Sequence, residues 1–371
     1  MKVLITGAEG FIGRNLQLRL RERKDIEVVT FTRADSVTAL PHLLDGVDVV
    51  FHLAGVNRPQ DPQEFVLGNA ELTQALSLAV QTSGRPMRVL LSSSIQAQMD
   101  TPYGSSKHQA EQTIQALNGF NNISVHIFRL PNVFGKWAKP NYNSAVATFC
   151  HNIARGLPVQ INDPNANVTL VYIDDVLDRF IDLMDGGDAR SDPKGFESIS
   201  PQYTQTVGEL VRQITAFNKS RDSLVIERVG TSFIRALYAT FLSYLPVERF
   251  VYRVPRYADP RGVFVEMLKT PDCGQFSFFT AHPGITRGGH YHHTKNEKFL
   301  VIKGQARFRF RHMQTGHVYE VETSGNKSEI VETVPGWTHD ITNIGSEEMV
   351  VMLWANEIFD RTRPDTYDSP L

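Results

Sequence analysis

Cysteine is scarce in this chain of 371 residues, which holds only Cys150 and Cys273. One lies in each half, too far apart in sequence for a disulfide framework or a thiolate metal site, so both read as packing residues. An excess of charge of either sign is missing as well: 38 Lys+Arg stand against 40 Asp+Glu, with no basic block to neutralise a run of phosphates. Nucleic acid is therefore not expected as a partner. No apolar run reaches the roughly 18 residues that cross a bilayer. Met1 to Gly7 leads directly into a nucleotide-site pattern, without the apolar segment and cleavage site of a secretion signal. No membrane insertion and a cytoplasmic location are expected. The length exceeds what one core usually serves, and an apolar content of 41% supplies two.

The first pattern is strand, turn, helix. Val3-Leu4-Ile5 is followed by Gly7-Ala8-Glu9-Gly10-Phe11-Ile12-Gly13 and a helix predicted from Phe11 through Arg21. Gly7 permits a tight turn, Gly10 lets a pyrophosphate approach the backbone, and Gly13 allows close helix-to-sheet packing. The free amides at the helix start hold phosphate charge. The next strand, Glu27 to Thr32, ends in Arg33 where Asp or Glu would take the ribose hydroxyls. Arg33 suits a 2′-phosphate, which favours NADPH, while nearby Asp35 keeps NADH open. Further strands are predicted at Val47–Leu53, Arg88–Ser92 and Val125–Arg129, with helices at Ala70–Val80 and Lys107–Leu117. Together they give an α/β doubly wound parallel sheet.

Tyr103 and Lys107 stand one helical turn apart, so both can face one cleft. An ammonium beside a phenol lowers its pKa, which would make Tyr103 a proton relay, and Lys107 would also hold the nicotinamide ribose. Ser94 closes the preceding strand and can donate to a carbonyl that gains charge as hydride arrives.

These segments, with His52-Leu53-Ala54-Gly55, Arg129 to Gly135 and Tyr172 to Val176, resemble the extended short-chain dehydrogenase/reductase family over about residues 1 to 243. The resemblance implies a Rossmann fold whose cofactor meets Gly7, Gly10, Phe11, Ile12, Gly13, Arg33, Leu53, Ala54, Tyr103 and Lys107. It also implies that Asn69 positions the helix bearing Tyr103, and that the region after Pro131 meets the sugar nucleotide through Asn132, Lys136 and Trp137. Lys139, Asn141 and Tyr142 lie in the same stretch. The spacing from Ser94 to Tyr103 is shorter than is usual in the family, removing much of the loop that crosses the substrate. Arg155 to Val159 reads as a helix end entering a strand, and Asp174 and Asp175 as caps of the following helix.

Helices are predicted at Thr204–Phe217 and Phe233–Leu245, after which the pattern changes near residues 244 to 252 to short strands. These are Gly262–Leu268, Gly274–Thr280, Glu297–Lys303, Ala306–Arg311, His317–Thr323, Ser328–Thr333, Asp340–Ile344 and Met349–Ala355, an all-β antiparallel barrel. The expected domains are 1–245 and 246–371. Seven of the twelve His fall between His282 and His339. His290 and His292 alternate along one strand, a Thr294-Lys295-Asn296 turn can return Glu297 beside them, and His339 follows the Pro335-Gly336 corner. His290, His292, Glu297 and His339 form a borderline-hard shell for one divalent ion, Zn first and Fe, Mn, Ni or Co also suited. His293 should point away from the cluster, into an outer shell or solvent. The layout resembles the cupin superfamily over roughly residues 253 to 360, and Arg287 to His290 resembles its deoxysugar 3,5-epimerase branch.

A 4-keto sugar unites the two sites: its ketone acidifies the C3 proton for inversion and also accepts hydride. The fusion resembles the bifunctional CapF-type family of capsular polysaccharide synthesis. That resemblance implies C3-epimerisation of a UDP-2-acetamido-2,6-dideoxy-4-hexulose in the barrel, then NADPH-dependent reduction at C4 to UDP-N-acetyl-6-deoxy-L-talosamine, on the route to UDP-N-acetyl-L-fucosamine. It implies a homodimer or higher homo-oligomer too. Three His and one Glu already satisfy a tetrahedral ion, which tilts its role toward structural, with a catalytic role open; the enolising base is also open. A nucleotide-sensing, sugar-binding protein is the alternative without chemistry. A 4,6-dehydratase is disfavoured because Ile95 and Gln96 follow Ser94 where such enzymes carry an acid.

Overall fold

The chain threads an apolar strand first. β1 (Lys2–Thr6) is buried at Val3, Leu4 and Ile5, as a strand covered on both faces requires. β2 (Glu27–Phe31) and β3 (Val49–His52) pair with it in parallel on either side, and β4 (Arg88–Ser94) and β5 (Ser124–Leu130) extend the sheet. The order β2-β1-β3-β4-β5 reverses direction beside β1, which opens a crevice at the carboxyl ends of β1 and β3. One core face joins Leu4, Val50, Val89, Leu91 and Ile127 to Leu76, Val80, Ile114 and Leu117. The short strands β6 (Asn132–Phe134) and β7 (Asn167–Tyr172) pair in parallel in a second, smaller sheet, and β8 spans Tyr203–Thr206. This computed structural model describes residues 1–254, 256–259, 262–265, 268, 274–357 and 362–371. Cys273 and part of the predicted 262–268 strand lie outside the described residues, whereas Cys150 is a buried free thiol.

Local chemistry moves several element ends from their predicted positions. The helix expected from Lys107 begins at Pro102, because Thr101 Oγ1 accepts from the Gly104 amide at 3.0 Å and proline fits the first helical position. The helix expected at 70–80 runs Leu72–Thr82 behind a wide π turn over Val66–Glu71. A reciprocal Thr206–Glu209 capping box starts the helix Val207–Ser223. No strand follows Gly156; β7 starts only at Asn167. Tyr172, not an aspartate, caps the helix Ile173–Met184, and Asp174 and Asp175 occupy its first turn.

The remaining strands are β9 (Val251–Arg253), β10 (Arg256–Asp259), β11 (Gly262–Val265), β12 (Gln275–Ala281), β13 (Thr286–Tyr291), β14 (Glu297–Lys303), β15 (Gln305–His312), β16 (Val318–Ser324), β17 (Glu329–Glu332), β18 (Trp337–Asn343), β19 (Met349–Ala355) and β20 (Tyr367–Asp368). They form two antiparallel sheets, β12-β19-β14-β17-β9 and β16-β15-β18-β13-β20, and a β10-β11 hairpin. Phe299 of one sheet meets Phe308 of the other with ring centroids 5.5 Å apart.

By compactness the chain divides into residues 1–144 with 168–204, and residues 145–167 with 205–371. The sequence division at 245 follows the change from helical to strand patterning. Compactness instead groups three helices, Ala145–Ala154, Val207–Ser223 and Ser232–Ser243, with the strands of the second unit. Arg249 ties that group together, donating to Ala154 O at 2.8 Å and Asn218 Oδ1 at 2.9 Å. Fully buried Glu332 accepts from Arg221 of a helix and Lys298 of β14.

Candidate functional site

The glycine turn of the first unit admits no side chain at two points. Gly7 has φ +68, and a Cβ there would lie 2.6 Å from the Ala54 amide nitrogen. A Cβ on Gly13 would lie 2.3 Å from Gly7 O. Gly10, at the helix N-cap, has no side-chain cap, which leaves first-turn amides for an anion. This cradle, which only glycine fits, suits a dinucleotide pyrophosphate. At the end of β2, Arg33 is exposed, while the Asp35 carboxylate folds back to accept from Thr32 N at 2.7 Å and Thr32 Oγ1 at 2.9 Å.

β4 delivers Ser94 and the helix Pro102–Gln115 delivers Tyr103 and Lys107. Residues Ile95–Gln98 make a single 3-10 turn capped by Ser94, whose Oγ accepts from Gln96 N at 3.1 Å. The Ser94 side chain also lies near enough to the Tyr103 phenol to favour its ionised form. Phe65 packs on the Tyr103 ring, centroids 5.7 Å apart. Burial raises the phenol above its ordinary pKa, and the nearby Ser94 side chain opposes this only in part. The expectation that Lys107 lowers it is thus corrected: the Lys107 ammonium is buried and donates to Ser92 O at 3.0 Å. Burial lowers Lys107 to about 8, with Glu111 pulling the other way.

Behind these residues lies a polar web that sequence reading largely missed. Asn69 accepts from Val56 N at 2.8 Å and donates to Ser106 Oγ at 3.0 Å, bracing the helix of Tyr103 as expected. His52 spans Thr6 Oγ1 at 2.7 Å and Thr73 Oγ1 at 2.8 Å, and burial holds it neutral near a pKa of about 3, helped by Lys107. Glu111 accepts from Ser93 at 2.6 Å and from Arg129 at 2.9 and 2.7 Å. The Leu53-Ala54 backbone lies against Gly7.

The residues proposed for the sugar nucleotide separate. Asn132 is exposed and donates to Thr169 O at 3.2 Å, and Trp137 is half-buried with φ +72. Lys136 is placed otherwise than the resemblance implied: it is buried at 2% exposure and pairs with Asp174 at 3.3 Å, an internal ion pair rather than a cation facing a diphosphate.

In the second unit the four expected ligands converge, with one donor atom from each of His290, His292, Glu297 and His339 lying within 4.8 Å of the others. β13 carries His290 opposite His339 of β18 after a bulge, and Glu297 opens β14. His292 Nε2 is 3.0 Å from Glu297 Oε2. His339 Nε2 is buried, faces the same oxygen at 3.5 Å and makes no hydrogen bond that satisfies it. An orphaned imidazole nitrogen among one carboxylate and two more imidazoles is the donor chemistry of a divalent ion. Burial lowers His290 to about 3, aided by His339 and His292, so its imidazole is neutral. Burial would raise Glu297, but His292 and then His339 hold it well below the ordinary carboxylate range. His293 is buried rather than exposed, its ring 5.6 Å from Tyr291 and 5.0 Å from Tyr367.

The NAD dependent epimerase/dehydratase family matches residues 3–196, and the polysaccharide biosynthesis C-terminal domain matches residues 257–367. A UDP-2-acetamido-2,6-beta-L-arabino-hexul-4-ose reductase of Pseudomonas aeruginosa is 62% identical over 367 residues, 99% of this chain and 98% of that protein. The crystal structure of the capsular polysaccharide assembling protein CapF from Staphylococcus aureus is 40% identical, covers 100% of both chains and superposes with a TM-score of 0.68. The chain belongs to the CapF-type branch of the NAD dependent epimerase/dehydratase family. A CapF-type structure with the inhibitor 3-isopropenyl-tropolone is also similar, at 37% identity, full coverage of both chains and a TM-score of 0.62. In CapF-type terms, the parallel sheet of the first unit is the Rossmann portion and the antiparallel strands of the second are the cupin-like portion. Among the described residues, no helix is long and apolar enough to cross a membrane.

Proposed function

We propose that this CapF-type chain is a bifunctional nucleotide-sugar enzyme. The cupin-like part inverts C3 of a UDP-2-acetamido-2,6-dideoxy-4-hexulose, and the Rossmann part reduces the C4 ketone to UDP-N-acetyl-6-deoxy-L-talosamine with NADPH. The observation that carries the reading is the juxtaposition of Ser94 and the half-buried Tyr103 phenol, with buried Lys107 on the same helix, in the domain that holds the glycine cradle. A sugar-binding or sensing protein has no use for such a set. The 62% identity to a protein whose name specifies reduction of a UDP-hexulose supports the substrate class.

NADPH, when bound, supplies the hydride. Ser94 donates a hydrogen bond to the C4 oxygen, and Tyr103 gives that oxygen a proton as charge develops on it. The raised phenol pKa suits this direction, because the phenol stays protonated through neutral pH. Lys107 orients the ribose. Exposed Arg33, with Asp35 turned back on Thr32, favours the 2′-phosphate of NADPH. Exposed Asn132 and half-buried Trp137 are the groups we assign to the sugar nucleotide, leaving Lys136 to brace Asp174.

In the barrel, His290, His292, Glu297 and His339 would hold one divalent ion, zinc first. Such an ion supplies fold stability or, through an open position, stabilisation of charge on a sugar oxygen. A tropolone carries two adjacent oxygens able to chelate a metal, so its use against a CapF-type relative fits this assignment. The protein is taken to act in the cytoplasm as a homodimer or higher homo-oligomer.

The test is to mix the UDP-4-keto sugar with NADPH and follow nicotinamide absorbance. One equivalent oxidised per sugar, with NADH slower and UDP-N-acetylglucosamine unchanged, is the expected result. No oxidation with any UDP-4-keto hexose would return the binding reading, and 4,6-dehydration of UDP-N-acetylglucosamine would return the dehydratase.

A further inference from the structure

We infer that Asp365 is a positioning residue of the His–Glu cluster, fixing the tautomer of His292 so that its Nε2 faces the cluster as a metal ligand. The inference rests on the proposed metal site and adds to it a segment outside the four ligands. His292 Nδ1 is 2.6 Å from the Asp365 carbonyl oxygen. A carbonyl only accepts, so Nδ1 carries a proton, and Nε2, 3.0 Å from Glu297 Oε2, is the nitrogen that faces the other ligands and would bind a metal in their midst.

That carbonyl is held in place by its own side chain. Asp365 Oδ1 accepts from His293 N at 2.9 Å, and Oδ2 accepts from Thr294 N at 2.9 Å, Lys295 N at 2.7 Å and Thr294 Oγ1 at 3.0 Å. Three successive amides of the turn between His292 and Glu297 therefore close on one carboxylate, a backbone anion nest. Asp365 reaches it with φ +37, a strained conformation for a non-glycine residue. The flanking residues fasten the same turn. Lys295 Nζ donates to Thr366 Oγ1 at 2.9 Å, Tyr367 stacks on Tyr291 with centroids 5.4 Å apart, and Ser369 N donates to Gly289 O at 2.7 Å. Residues 289 to 295, which carry two of the four ligands, are thus clasped along their length by residues 365 to 369.

Loss of a group that orients a metal-bound imidazole costs roughly 10–100-fold in metal affinity. The test uses the full chain, stripped of metal, titrated with Zn²⁺ against a chromophoric chelator, in wild type, Asp365→Ala and Asp365→Asn. Asparagine keeps one acceptor oxygen and tolerates positive φ, so it should restore part of what alanine loses. Nitrogen-15 correlation spectra of the His292 ring in the Zn²⁺-loaded wild type provide a second readout that needs no variant. Support consists of one Zn²⁺ per wild-type chain, binding about 10–100-fold weaker in Asp365→Ala with partial recovery in Asp365→Asn, and a wild-type His292 protonated at Nδ1. Equal affinity in wild type and Asp365→Ala, or a wild-type His292 protonated at Nε2, would overturn the inference while leaving the metal site standing. A folded wild type that takes no Zn²⁺ would overturn the metal site and this inference together. If Asp365→Ala does not fold, the Asp365→Asn affinity and the wild-type tautomer still decide it.

Discussion

Replacing Tyr103 by Phe removes one oxygen and little else. The ring stays packed on Phe65, 5.7 Å between centroids, and the lost phenol removes only its contact with the Ser94 side chain. Even a full neutral hydrogen bond is worth only about 0.5–1.5 kcal/mol net, and half-buried Ser94 keeps Gln96 N as a partner, so stability should change by about 1 kcal/mol or less. Catalysis should suffer far more. Withdrawing a positioned general acid costs about 10²–10⁴-fold, roughly 2.7–5.5 kcal/mol at 1.36 kcal/mol per tenfold. Lys107 and the glycine cradle are untouched, so NADPH should bind as in wild type. The assay is single-turnover oxidation of NADPH by the UDP-4-keto sugar, with cofactor affinity measured separately by fluorescence. A Tyr103→Phe enzyme that retains more than about a tenth of the wild-type rate, or that loses NADPH affinity in proportion to rate, would refute the assigned role.

Lys107, lowered to about 8 by burial, is charged below that pH and loses its charge above it. In the free enzyme kcat/KM for NADPH should therefore fall about tenfold per unit as pH rises past 8, and this limb should disappear from an already slow Lys107→Met variant; a profile flat to pH 10 counts against the lysine. Arg33→Ala should weaken NADPH binding about 10–100-fold through loss of a charge-assisted contact while leaving NADH within twofold, and equal loss for both cofactors would remove the 2′-phosphate assignment. Glu332 is fully buried and answers two buried cations, Arg221 and Lys298. Glu332→Gln should cost about 3–5 kcal/mol in denaturant unfolding of the second unit, and a cost below 1 kcal/mol would mean the cations find other partners.

The residues that carry chemistry were legible where backbone geometry restricts the residue type. Gly7 and Gly13 sit where a Cβ would strike backbone, and the His290, His292, Glu297, His339 spacing follows from strand alternation and one tight turn. What escaped depends on tertiary contact. Nothing near Lys136 in sequence announces that Asp174 will neutralise it, and nothing in Tyr103-Gly-Ser-Ser-Lys107 reveals that burial, opposed only by Ser94, raises the phenol. The early start of the Tyr103 helix was readable from Thr101-Pro102, a cap and a first-position proline. The role of Asp365, more than seventy positions from His292, had no periodic signal at all.

In the proposed function one ketone serves two reactions, proton exchange in the barrel and hydride acceptance in the Rossmann part. Incubating the UDP-4-keto sugar with the enzyme in deuterated water without NADPH tests it most directly. Deuterium at C3 with the ketone retained is expected, followed by reduction of the labelled sugar when NADPH is added. Reduction on adding NADPH to a sugar that had taken up no deuterium at C3 would contradict it.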